Sequence, residues 1–161
     1  MSEFASRSTD YPSGREVSFH RLLDAPRELV WSVCSDPHHL HRWWGPNGFT
    51  ITTHEFSFVP GGEWLFIMHG PDGTDYPNRV IFSEIVPPSR LVYYNGWDLP
   101  GSPVDFTAVI TLESEGAKTR FSQHMTFSSV EGFRTAVELY GVLEGGTQTL
   151  ARLAEYVRGL G

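Results

Sequence analysis

The chain has 161 residues, 40% of them hydrophobic and 14% aromatic, with a formal net charge of -7. That length and composition suit one domain with a hydrophobic core, and aromatic residues spread from end to end argue against wholesale disorder. The charge disfavours a nucleic-acid binder working through a basic face, and equally docking to an anionic membrane. The single cysteine, Cys34, excludes an internal disulfide framework. No apolar run reaches the roughly 18–20 residues of a membrane span. Met1-Ser2-Glu3-Phe4 lacks the regions of a signal peptide, so a cytoplasmic location is expected.

Residues 1–14 read as a flexible N-terminal tail preceding one domain over 15–161. Val17 and Phe19 alternate with polar neighbours over Arg15–Leu23, which predicts a strand. Asp24-Ala25-Pro26 opens a helix carrying Leu29, Val30 and Val33 on one face. Ser35 or Asp36 then caps a second short helix, which stops before Gly45-Pro46. Strand signals follow at Phe49–Phe58, Glu63–Gly70, Asn78–Val86, Leu91–Trp97, Val104–Glu113 and Thr119–Phe127. They are separated by turn residues at Pro60-Gly61-Gly62, Pro71-Asp72-Gly73-Thr74 and Pro87-Pro88, and by a loop at Leu99–Pro103. The half-polar alternation describes an antiparallel sheet wet on one face. Leu143, Leu150, Leu153, Ala154 and Val157 recur at helical spacing, so the chain ends in a long helix that can cover the apolar face.

An ordered set of short motifs carries a family resemblance. Asp36-Pro37 precedes Trp43-Trp44-Gly45-Pro46; Pro60-Gly61-Gly62 precedes Trp64; Gly70-Pro71-Asp72-Gly73 follows. The run Glu84-Ile85-Val86-Pro87-Pro88-Ser89-Arg90-Leu91-Val92-Tyr93 and the closing Leu150-Ala151-Arg152-Leu153 complete it. The set resembles bacterial proteins related to the C-terminal domain of the heat-shock protein 90 ATPase activator, in the START-like (SRPBCC) superfamily. The resemblance implies an α+β helix-grip fold: a curved antiparallel sheet of about seven strands wrapped around a long C-terminal helix, two short helices after the first strand, and an internal apolar cavity. It implies no particular reaction, because one fold hosts carriers, sensors and enzymes. Relatives often carry Gly-Trp where this chain has Gly145-Gly146. Either the last helix runs through the pair, leaving space opposite Phe106, Ile110 or Met125 that Trp at position 146 would fill, or it starts near Thr147.

Candidate wall residues follow from strand phase and from that fold. Trp64, Phe66 and Met68 share one face, as do Phe106, Ala108 and Ile110, and Phe121 and Met125. Each is ordinary core by default and cavity wall under the helix-grip reading. Val80 and Phe82 share a phase with Glu84, whose inward projection would make it the weak candidate for an ionisable catalytic group. Tyr93, Asn95 and Trp97 each pair a body with a polar tip, as at a pocket mouth. Of Trp43 and Trp44, one pins the second helix and the other, Trp44, serves as aromatic wall; Leu143 and Gly146 face the sheet from the last helix.

Chemistry-bearing motifs are otherwise thin. His38, His39 and His41 lack a thiolate and a fourth ligand, and no metal site or cofactor is expected. His69 and His124 fall on the polar phase of their strands. There is no nucleophile elbow, dinucleotide fingerprint or Walker loop, and Gly61-Gly62 reads as a bulge or turn. The expected function is binding of a small, largely hydrophobic molecule between sheet and C-terminal helix. A cyclase- or hydrolase-type enzyme on the same fold and a chaperone-interaction module are the alternatives, and a homodimer is compatible with the sequence.

Overall fold

The computed structural model describes residues 6–10, 14–97 and 104–160. Strand β1 (Ser6–Asp10) leads to β2 (Glu16–Leu23), then helices α1 (Arg27–Ser35) and α2 (Pro37–Trp43). Six strands follow: β3 (Thr50–Phe56), β4 (Glu63–His69), β5 (Asp75–Val86), β6 (Arg90–Trp97), β7 (Phe106–Glu115) and β8 (Lys118–Phe127). Helices α3 (Val130–Glu138) and α4 (Val142–Leu160) close the chain.

All strands join one antiparallel sheet in the order β1-β2-β8-β7-β6-β5-β4-β3. The hairpins from β3 to β8 place sequential strands side by side. The α1–α2 crossover carries the chain from β2 to the opposite edge at β3. Two register shifts, between Thr53 and Glu55 and between Phe82 and Glu84, are bulges of the kind that increase local twist. They help bend the sheet into a trough. Along β2, β7 and β8 the inward residues are buried in alternation, including Val17, Phe19, Ala108, Ile110, Leu112, Phe121 and Met125. Helix α4 lays Leu150, Leu153, Ala154 and Val157 against this face; their spacing of three and four makes one stripe.

Capping fixes the short helices. The Asp36 side chain accepts from the backbone N–H of His38 at 2.9 Å, with Pro37 in the first turn of α2, and Ser129 accepts from Gly132 at 2.9 Å at the start of α3. Trp43 is 1% exposed and donates its indole N–H to the Val33 carbonyl at 2.9 Å, locking α2 onto α1. The Gly61 amide donates to Phe82 at 2.7 Å and the Phe82 amide to Gly62 at 3.0 Å, so the Pro60-Gly61-Gly62 turn is stitched onto β5.

Three expectations need correction. Residues 6–10 are a strand paired with β2, with Ser6 opposite His20 and Asp10 opposite Glu16, so part of the expected tail adds an eighth strand at the sheet edge. Residues 1–5 and 11–13 of that tail, and the loop at Leu99–Pro103, lie outside the described residues. The helical C-terminal region is two helices: α3 precedes Gly141, whose φ of +60° makes the corner between them. Glu84 faces outward, half-exposed, with a carboxylate oxygen 3.2 Å from Arg90 Nε. The bulge at Phe82/Glu84 causes this. Two residues of β5 oppose one step of β6, so the period-two phase of Val80 and Phe82 does not carry on to Glu84.

Candidate binding cavity

Between the trough and α4 lies a cavity of about 330 Å³, at the lower end of the range typical of small-molecule sites. The floor comes from strand residues of inward phase: Phe19 on β2, Met68 on β4, Tyr93 on β6, Ile110 on β7, and Phe121 and Met125 on β8. Helix α4 supplies Val142, Gly145, Gly146, Thr149 and Leu150, and the segment after α2 supplies Gly45, Pro46 and Phe49. Trp97, Tyr76 and Tyr140 gather where β5 and β6 approach the α3–α4 corner. Their ring centroids lie 5.8 Å apart for Tyr76–Trp97 and 4.9 Å for Trp97–Tyr140.

The expected wall residues divide into two groups. Trp44, Met68, Tyr93, Trp97, Phe106, Ile110, Phe121, Met125 and Gly146 line the cavity together. Trp64, Val80 and Phe82 instead surround a packing gap of only about 10 Å³ under the β4–β6 half of the sheet, with Cys34 and Leu40. Phe66, at 1% exposure, and Ala108, at 0%, are filled core, and Leu143 packs on the core outside the cavity wall. The division has a packing cause. Trp44 turns its ring against Trp64 at 5.1 Å and Phe66 at 6.5 Å, while Trp64 and Phe66 stack at 3.9 Å. This aromatic cluster closes that half of the trough and makes Trp44 the partition between core and cavity. Trp43 also reaches the wall while pinning α2.

The Gly146 expectation also needs correction. Helix α4 runs unbroken through Gly145-Gly146. Gly146 borders the cavity, but a Cβ there would come closer than 3.0 Å to the ring of Phe19. The volume surrendered by the missing side chain is therefore partly taken by Phe19 from β2, and Trp at this position would displace that ring rather than fill a void.

Polar groups sit within the apolar wall: Tyr93 and Asn95, expected at a pocket mouth, and Asn78 and Gln123, which the sequence reading missed. Asn78 and Asn95 are buried at 6% and 7% exposure, and Asn95 Nδ2 donates to Asn78 Oδ1 at 3.1 Å. Gln123 Nε2 donates to the Tyr93 hydroxyl at 2.7 Å. Tyr93 and Gln123 sit on strands either side of β7, so the phenol reaches across above β7. Burial pushes the Tyr93 hydroxyl well above the ordinary tyrosine range, so it stays protonated. A sequence signal for these residues exists: Asn78 breaks the apolar phase of Val80 and Phe82, and Gln123 that of Phe121, Met125 and Phe127.

The histidines serve structure around the rim and outer face. His39 bonds the Tyr156 hydroxyl at 2.6 Å, His41 bonds Thr53 at 2.8 Å, and His69 lies between Thr52 and Asp75. His124 joins Ser18 at 2.6 Å and Glu16 at 2.7 Å on the outer face. Among the described residues no group of His, Cys, Asp or Glu has the arrangement of a metal site. Among the described residues no helix is long and apolar enough to cross a membrane.

A curved antiparallel sheet closed by a C-terminal helix over an apolar cavity defines the helix-grip class of α+β proteins. Residues 24–158 match the family model for Activator of Hsp90 ATPase homolog 1-like proteins, and the chain belongs to that family. A solution structure of a protein from Arthrobacter aurescens is similar, at 29% identity and TM-score 0.82 over 93% of this chain and 91% of that one. A crystal structure from Mycobacterium smegmatis shares the fold at 22% identity and TM-score 0.84, covering 94% of each chain. So does the AHSA1 protein of Silicibacter pomeroyi, at 21% identity and TM-score 0.74 over 91% of this chain and 99% of that one. No functionally curated protein is significantly similar in sequence.

Proposed function

We propose that this protein binds a small, largely hydrophobic molecule in the cavity between its sheet and α4. The observation that carries the reading is the cavity itself, about 330 Å³ between sheet and α4, against a gap of only about 10 Å³ beside Trp64, Val80 and Phe82. Interiors normally pack without voids, so space of this size in an apolar wall favours an occupant. Burial of apolar ligand surface, at about 25 cal/mol per Å² before ordering costs, would drive binding. The enzyme alternative loses its candidate residue, because Glu84 points away from the cavity. A cytoplasmic location is part of this reading, supported by a lone unpaired cysteine, which suits a reducing compartment.

The test is a fluorescence titration of the full chain with N-phenyl-1-naphthylamine, paired with native mass spectrometry of freshly purified protein. Saturable one-to-one binding, abolished by Met125→Trp and Met68→Trp in variants that still melt cooperatively, is the expected result. Binding that both substitutions leave untouched would place the probe elsewhere and overturn the reading.

A further inference from the structure

We infer that the cavity selects uncharged aromatic molecules bearing a hydrogen-bonding group such as an amide, ketone or hydroxyl, held by the Tyr93–Gln123 and Asn78–Asn95 pairs. This inference rests on the cavity-binding reading above and specifies the chemistry of its occupant.

The described wall of the cavity carries no formal charge. Among the described residues lining the cavity there is no Asp, Glu, His, Lys or Arg. The Arg152 guanidinium, outside the lining, is committed to the backbone of the wall, donating to the Gly45 carbonyl at 2.7 Å and the Pro46 carbonyl at 2.9 Å. A carboxylate or ammonium entering this space would lose its hydration without gaining an opposite charge, which a buried ion tolerates poorly. The aromatic rings at the corner offer no cation cage either. Tyr76, Trp97 and Tyr140 pack edge-on or tilted against one another at 4.9–6.4 Å between centroids, rather than standing apart around a central space.

The wall's polar groups keep hydrogen-bonding capacity to spare. The Tyr93 hydroxyl accepts from Gln123, so its own proton remains to be donated, and Gln123 Oε1 remains to accept. Asn95 Nδ2 is shared between Asn78 Oδ1 and the Gly96 carbonyl, and Asn78 Nδ2 donates to the Tyr76 carbonyl. That leaves Asn95 Oδ1 as an acceptor and a further N–H on Asn78 as a donor. The Tyr76 and Gly96 carbonyls, which only accept, fix the orientation of both asparagine amides; exchanging the ends of the Gln123 amide reverses the donor in its pair with Tyr93 but still leaves one donor and one acceptor. Tyr93, at 2% exposure, and both asparagines are more than nine-tenths buried on an otherwise apolar face. Buried polar groups require partners, and here the open side of each pair is the cavity. A neutral molecule with a flat apolar body and a carbonyl or hydroxyl meets both demands.

The experiment compares naphthalene, 2-naphthamide and 2-naphthoate, which share one ring system, by isothermal titration of the full-length protein at pH 7.5. The expected order is naphthamide tightest, naphthalene intermediate and naphthoate at least tenfold weaker than naphthamide. Gln123→Leu and Asn95→Leu should each reduce the naphthamide-to-naphthalene preference by about fivefold or more while naphthalene binding persists, showing that the fold is intact. Naphthoate binding as tightly as naphthamide would overturn the inference and leave the cavity reading standing, as would an amide preference unchanged in both variants. Failure of all three compounds to bind would overturn the cavity reading itself.

Discussion

The ring of Phe19 lies directly against the Cα of Gly146, so that a single strand residue and a single helix residue set the separation of α4 from the sheet at the cavity's edge. Phe19 is 1% exposed and fixed between β1 and β8. In an ordinary helix interior, Gly→Ala stabilises by about 1 kcal/mol. Here the methyl group would enter the Phe19 ring, and overpacking costs about 1–3 kcal/mol. Gly146→Ala should therefore destabilise the protein, and the loss should shrink in a Phe19→Leu background, as coupling between touching residues requires. Urea denaturation of the four-member cycle measures this; a more stable Gly146→Ala protein would show that the ring turns aside freely.

Cys34 sets an alkaline limit on stability. Burial raises its thiol from 9.0 to about 12, because the folded interior disfavours the thiolate. An unfolded chain loses that proton above about pH 9, whereas the folded chain keeps it. The stabilisation is complete below pH 9 and falls by about 1.4 kcal/mol per pH unit as pH rises toward 12. Cys34→Ala should show a shallower loss of stability than wild type between pH 9 and 11 in denaturant titrations. Parallel slopes would mean that the thiol ionises in the folded state.

Thr119 ties the last strand to the start of α1. It is 0% exposed, and its hydroxyl donates to the Ala25 carbonyl at 2.8 Å. Thr119→Val keeps the shape but leaves that buried carbonyl unpaired, a loss of about 1–3 kcal/mol. Thr119→Ser should retain the bond and lose less. If Val and Ser variants unfold at the same urea concentration, the hydrogen bond is not what matters there.

Glu84→Gln should do very little. The Arg90 pair is exposed, and such pairs contribute about 0–1 kcal/mol. Stability should change by less than about 0.5 kcal/mol, and naphthalene affinity should be unchanged in a calorimetric titration. A several-fold change in affinity would return Glu84 to the site.

What the sequence determined by itself was periodicity. Alternation within strands placed Ile110, Phe121 and Met125 on the inner face, and helical spacing placed Leu150, Leu153 and Val157 on the covering stripe, because both patterns are local and repeat with a fixed step. The turn at Pro60-Gly61-Gly62 was legible from its turn residues, and the cap of α2 was narrowed to Ser35 or Asp36, of which the structure uses Asp36. The asparagines and Gln123 were written in the sequence as interruptions of an apolar phase, although phase alone does not say that two interruptions will meet.

The tertiary structure decided everything that depends on where strands bulge and which side chains share a volume. A one-residue bulge turned Glu84 to solvent, since a period of two inverts with any insertion. The stacking of Trp64 on Phe66 against Trp44 filled one half of the trough, and Phe19 took up the space beside Gly146. Whether an inward residue is core or cavity wall is a question of packing among segments far apart in the chain, and no single segment's pattern contains it.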